Sequence, residues 1–299
     1  MTKKSIALLI LGAIFIGLFA MRPSFSKNAK DFSVVKISSN LPFNPEYAVP
    51  ALPDEEKTSL LSALSQRYDY LGGGAESFCF LSADKRYVLK FFKMEYFLPK
   101  PWIERFPFFL MKNNLLKHYW ERRAARLPRT FKAHKLAHEK LQGQTAVIYA
   151  HLNKSNDLNH TVVVRDKKGV EHMIDLDSRE FILQRKATPA FKYVHERAQS
   201  GDMEGAKRAL TALMEMIVYR MREGYIDLDK GIGSNYGFVD GQPMQIDLGH
   251  LVCNPLLCTD EKKLSEIFRV KKRLLRWARR YDAALCVHIE NEAERLIYE

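Results

Sequence analysis

The chain has 299 residues, and its 46% hydrophobic and 27% charged content excludes a disordered or collagen-like polymer and points to a core-forming protein. Its net charge of +12 favours anionic partners: nucleic acid, phosphorylated metabolites or an acidic membrane face. The cysteines, Cys79, Cys253, Cys258 and Cys286, have no metal-quartet spacing and read as packing residues or free thiols.

Lys3 and Lys4 precede an apolar run from Ile6 to Met21, and Arg22 and Lys27 follow it. At a rise of about 1.5 Å per residue, a helix of that length reaches about 24 Å and only marginally spans a bilayer core of about 30 Å. Residues 1–27 are therefore expected to form a single-pass membrane anchor, with 5–21 in contact with lipid. The alternative is a signal segment cut near Ser24–Ser26, leaving an exported protein. The basic flanks and the lack of an A-x-A cleavage pattern favour the anchor. With both flanks positive, the membrane side is left open.

Residues 28–58 read as a linker punctuated by Pro42, Pro45, Pro50 and Pro53. "PDEEKTSLLSALSQRY" predicts a helix with Asp54 as its cap. "YDYLGG", "SFCFLS" and "RYVLKFFK" predict strands, with a turn at "SADKR". The next stretch starts irregularly at Pro99, Pro101 and Pro107, then becomes helical and basic, with a break near Pro128. "TAVIYAHL" and "EFILQRKA" predict strands, and "TVVVRDKKGVEHMIDL" a hairpin turning at "DKKG". "DMEGAKRALTALMEMIVYRMREG" has apolar residues at helical spacing and Gly224 placed to end it. "YIDLDKGIGSNYGFVDGQPMQIDLGHL" reads as a loop, a strand, a turn and a strand ending in Asp247; the remainder is helical. A β-rich half, 59–187, followed by a helical half, 188–299, predicts an α+β, two-lobed domain.

Phosphoryl transfer needs glycines for close backbone approach, a cation on the phosphates, oxygen ligands for Mg2+ and a carboxylate to orient the acceptor. All four residue types occur here in order. Gly72, Gly73 and Gly74 precede Ser77 and Cys79; Lys90 sits in an apolar strand with Val88 on the same face; Asp227, Asp229 and Asn235 share a glycine-rich loop; Asp247 precedes Leu248 and Gly249. The plain alternatives are a glycine turn, an edge lysine that snorkels to water, and loop or strand-end carboxylates that only cap turns.

This ordered set resembles the protein-kinase-like fold. Gly72–Cys79 is similar to the glycine loop, with Ser77 in place of the third glycine, and Tyr87–Lys90 to the lysine strand. Asp229 and Asn235 are similar to the catalytic loop, and Asp247–Gly249 to D-F-G. The resemblance implies a β-rich N-lobe and a helical C-lobe behind the N-terminal hydrophobic helix, with ATP and Mg2+ as cofactors. It implies that Gly72–Gly74 cover the phosphates, Lys90 contacts the α/β-phosphates, and Asn235 and Asp247 ligate Mg2+. The backbone near Gln184–Lys186 would meet adenine. The chain departs from the pattern in several places. Lys230 stands at the usual base position, leaving Asp229 or Asp227 as the base. The His-Arg pair and the A-P-E motif are missing. The glutamate that should pair with Lys90 is Glu139, or its rival Glu121.

His134 and His138 share a helix face, but Lys135 stands where a metalloprotease helix has its glutamate, so both are assigned to surface or core. The basic stretch 112–135 and "FRVKKRLLRWARRYDAAL" read as solvated faces or as contacts to an anionic lipid surface; neither carries a nucleic-acid motif. The leading expectation is a membrane-associated, ATP- and Mg2+-dependent phosphotransferase with a saccharide or lipid-linked acceptor. Its rivals are a pseudokinase used for binding or scaffolding and a basic envelope protein without nucleotide.

Overall fold

A computed structural model describes residues 31–98, 121–122, 124–229, 231–257 and 259–298. The chain divides into two compact units, 1–33 and 34–299. Of the first, residues 31–33 are described and carry no helix or strand. The expected anchor over 5–21 and the rival Glu121's neighbours at 99–120 lie outside the described residues. Among the described residues, no helix is long and apolar enough to cross a membrane.

The second unit is a mixed α+β structure. It opens with 3-10 turns at Val34–Ile37 and Pro45–Tyr47 and a helix α1 (Asp54–Leu64). Strands β1 (Tyr68–Gly73), β2 (Ser77–Ser82) and β3 (Tyr87–Phe92) follow, then the short α2 (Met94–Phe97). After α3 (Arg126–Lys140) and α4 (Gln142–Thr145) come β4 (Val147–His151), the hairpin β5 (Thr161–Arg165) and β6 (Glu171–Asp175), and β7 (Phe181–Arg185). These strands form one sheet in the order β4-β7-β3-β2-β1-β5-β6. Its first five members pair antiparallel, and β5 joins the β1 edge in parallel.

The residue pattern accounts for that order. In β2, Phe78, Phe80 and Ser82 are buried and their neighbours half-buried, the period of a strand with one face to the core. In β3, Val88, Leu89, Phe91 and Phe92 are all buried, as a strand flanked on both edges and covered on both faces requires. Helix α3 covers the sheet with Leu127, Phe131, His134, Ala137 and His138, a stripe at helical spacing. Phe131 packs between Phe92 and Tyr47, with ring centroids 5.0 and 5.1 Å away.

Those contacts correct three expectations. Part of the supposed linker is a packed strap: Tyr47 lies on α3, Asn44 exchanges hydrogen bonds with Asn153, and the Ser39 hydroxyl donates to buried Glu180 at 2.6 Å. Apolar Leu41, just before the first proline, and Tyr47 and Val49 between the prolines hold it down. Asp54 is the first helical residue of α1, with Pro53 at the cap position and no side-chain cap. Pro128 does not break α3, because it sits in the first turn, where its missing N–H has no partner to lose.

After β8 (Thr188–Pro189) the helical part begins with α5 (Ala190–Gln199) and α6 (Met203–Arg222). Asp202 caps α6 by accepting from Gly205 N at 2.8 Å, and Gly224, at φ 88°, ends it in a conformation that side chains other than glycine's rarely adopt. Next come β9 (Tyr225–Asp227), α7 (Ile232–Asn235), the hairpin β10 (Tyr236–Val239) and β11 (Gln242–Gln245), and β12 (Leu251–Cys253). Helices α8 (Asp260–Ala278) and α9 (Ala283–Tyr298) pack with α5 and α6 around Leu210, Leu213, Ile267, Leu274 and Ile289. Strand β12 was not anticipated. Its three residues pair with β9, setting Leu251 opposite Asp227.

Candidate functional site

Gly72 and Gly73 end β1, paired with Cys79 and Phe78, and Gly74 opens the turn to β2; the β1–β2 register shifts between Tyr70 and Gly72. A Cβ placed on Gly72 or Gly74 would meet nothing within 4 Å, so packing does not require glycine there; its absence of a side chain leaves the backbone approachable. Lys93, just past β3, holds the turn from beneath. Its backbone N donates to Glu76 O at 2.8 Å, its ammonium donates to Gly74 O, and that ammonium lies 4.4 Å from the Phe78 ring. Burial pulls the Lys93 ammonium below the usual lysine range.

Lys90 faces the helical part. Its ammonium donates 2.5 Å to the carbonyl of Ile246, the residue before Asp247, bringing the lysine strand to the end of the D-L-G segment. Val88, two residues earlier, is buried, and Ser77 and Cys79 are half-buried on β2, where Cys79 stands opposite Lys90. Two expected backbone contacts for adenine change: Arg185 N and Lys186 N already donate to Ala146 O and Arg86 O.

Helix α3 presents no glutamate to Lys90. Among the described residues, no carboxylate lies within ion-pair distance of it. Glu139 is corrected: it pairs with Lys135 at 3.8 Å on the outer side of α3, because the inward positions of that turn belong to Ala137 and His138. The inward residue one turn earlier is His134. It is buried, donates Nδ1–H to Thr130 O at 2.7 Å, and stands edge-on to Phe92. Burial depresses the His134 imidazole to about 4, with the Lys90 charge acting the same way and Asp247 opposing.

That depression carries a sign. The unfolded chain binds the His134 proton below about pH 6.5 while the folded chain refuses it until about pH 4. Stability is therefore present above pH 6.5 and lost as pH falls towards 4, by on the order of 3 kcal/mol from this one group. Urea unfolding at pH 7 and pH 4.5 is expected to show a smaller loss in His134→Leu than in wild type. An equal loss in both would show that His134 titrates normally.

The catalytic-loop candidates converge below Lys90. Asp227 ends β9, and its Oδ1 accepts from Asp229 N at 2.9 Å. Its Oδ2 accepts from Gln245 Nε2 at 3.0 Å and lies 3.5 Å from Asn235 Nδ2. Gln245 Nε2 also donates to Asp247 O at 2.8 Å, tying the two segments together. Asn235 is buried and its Oδ1 accepts from the Ser234 hydroxyl, whereas Asp247 is exposed. Asp229 turns its Oδ1 to Gly231 N, closing the loop on itself. Of the two acids left open by the sequence, Asp227 is the one joined to both Asn235 and the Asp247 segment. Burial raises its carboxyl to about 6.

Sequence reasoning missed five contributors. Glu76, inside the glycine turn, folds inwards so that a Cβ on Gly249 would meet its Oε2 at 2.2 Å. Thr130 donates to it at 3.2 Å and Arg129 lies 3.9 Å away. Gln245 is fully buried, and buried Arg220 donates to it from α6. Polar residues inside otherwise apolar strand and helix stripes were the available signal.

Among the described residues, no three His, Cys, Asp or Glu side chains could hold a metal ion together. Mg2+ needs less: one or two hard oxygen ligands from protein, with substrate phosphates completing the shell. Exposed Asp247 and buried Asn235 offer that donor type, so the residues present fit such an ion.

No family model and no curated protein matches this chain. Among solved structures, it is similar to the bifunctional kinase-methyltransferase WbdD at 13% identity and a TM-score of 0.36, over 73% of this chain and 43% of that one. It is also similar to the ROP18 kinase domain in complex with AMP-PNP and sucrose, at 16% identity and a TM-score of 0.28, over 62% of this chain and 51% of that one. The chain thus spans less than half of the WbdD chain.

Proposed function

We propose that residues 34–299 form a kinase-like phosphotransferase domain that uses ATP and Mg2+. The observation that carries this reading is the single bond from Lys90 to Ile246 O, which sets the strand lysine over the segment where Gln245 joins Asp227 to Asp247. The strand order β1-β2-β3-β7-β4, with α3 inserted between β3 and β4, supports it, as does the return of β12 onto β9.

In this reading the Gly72–Gly74 backbone covers the phosphates and Lys90 leaves Ile246 O to bind them. Asp247 and Asn235 hold Mg2+, which would neutralise charge developing on the transferred phosphoryl group. Asp227 accepts the acceptor's proton; its buried carboxyl suits a base working near neutrality. The acceptor is proposed from charge alone: an anionic saccharide or lipid-linked group at a membrane to which residues 5–21 anchor the chain.

The test is Mg2+-dependent ATP turnover by the full chain. Turnover that disappears in Asp247→Ala supports the enzyme. Two observations favour a non-catalytic, nucleotide-binding relative instead: neutral His134 where a lysine-pairing glutamate is expected, and the Glu76 carboxylate beside the phosphate cradle. Tight MgATP binding without turnover would select that reading.

A further inference from the structure

The glycine turn contains an acid that the phosphotransferase reading does not use. Glu76 is not a solvated loop residue: its side chain is 18% exposed and sits against Gly249, two residues from Asp247. Its Oε2 accepts from the Thr130 hydroxyl at 3.2 Å, and its backbone carbonyl accepts from Lys93 N at 2.8 Å, so side chain and main chain are both anchored. Arg129 Nη2 is 3.9 Å from Oε1, at the edge of ion-pair distance, and His250 is a second basic neighbour. The carboxylate therefore lies under the turn that would cover phosphates, close to a second acid and partly neutralised.

Two neighbouring carboxylates oppose any incoming polyanion, and Glu76, with its side chain only 18% exposed, is screened less by water than a surface acid. A divalent cation reverses the balance, because it carries the charge that both acids attract. We propose that Glu76 is a specificity-determining residue that makes the cleft reject metal-free nucleotide and admit the nucleotide only with its divalent cation. This rests on the nucleotide reading above and deepens it. Glycine at 249 fits the same arrangement: any Cβ there would displace the Glu76 carboxylate.

The test uses the full chain and calorimetric titration with ATP in EDTA and ATP in excess MgCl2. The quantity read is the ratio of the two dissociation constants in wild type, Glu76→Gln and Thr130→Val. Glutamine keeps the shape and can still accept from Thr130 while losing the charge. Glu76→Gln is expected to tighten metal-free ATP about tenfold and to leave MgATP within about twofold, so the ratio falls by about tenfold. Thr130→Val, which loosens the anchor and keeps the charge, is expected to leave the ratio unchanged. Equal change in both constants, or a larger loss for MgATP, would overturn the inference while leaving the nucleotide site standing. No binding by any of the three proteins would sink the nucleotide reading and this inference with it.

Discussion

Asp227→Asn is expected to lower Mg2+-dependent turnover by about a hundred- to ten-thousand-fold while leaving MgATP affinity nearly unchanged. Asparagine keeps one oxygen, which can still accept from Asp229 N, while its NH2 replaces Oδ2 and gives up the bond from Gln245 Nε2. It also loses the ability to take a proton. Asp229→Asn is expected to cost much less, because Asp229 spends its Oδ1 on Gly231 N and has no bond to Asn235 or Gln245 among those described. Steady-state rates beside binding titrations separate the two acids. A larger loss in Asp229→Asn than in Asp227→Asn would transfer the base assignment.

Arg220→Met is expected to destabilise the domain by about 2–4 kcal/mol, lowering the melting temperature by roughly 5–10 °C. Arg220 is 2% exposed, and its guanidinium donates to Gln245 Oε1 at 2.5 Å and to the Tyr236 hydroxyl at 3.0 Å. Methionine fills much of the volume but leaves both acceptors buried without that donor. The effect extends to the site, since Gln245 then loses the partner that orients its amide towards Asp227 and Asp247. Arg220→Lys is not a rescue, because an ammonium cannot present two fixed N–H groups to two acceptors. Differential scanning calorimetry of the three proteins checks this; a melting temperature unchanged in Arg220→Met would remove Arg220 from the account.

The strands around the glycine turn were legible because short β-branched and aromatic runs separated by turn residues have few alternatives. Lys90 carries a related signal: a charge inside an apolar strand must find a partner, and it finds Ile246 O, just before Asp247. The choice between Asp227 and Asp229 was not legible, since it depends on the β9–β12 pairing and on Gln245, both set by tertiary contact. Glu139 misled because its sequence position fits while its helical phase turns it outwards; His134 and His138 hold the inward phase. Glu76 was hidden by its motif. A residue inside a glycine turn reads as exposed until α3 and Gly249 are known to lie against it. The strap around Tyr47 read as linker because prolines suppress any helical or strand period, although three apolar residues, Leu41, Tyr47 and Val49, were enough to dock it.

Nucleotide binding through Lys90 and Asp247 is tested by thermal unfolding of the full chain with ATP, with and without Mg2+, beside Lys90→Ala and Asp247→Ala. A ligand that binds only the folded state raises the melting temperature. A Mg2+-dependent rise is expected in wild type and is expected to be lost in both variants. No rise at millimolar ATP in a cooperatively melting wild type, or an equal rise in all three, would contradict it.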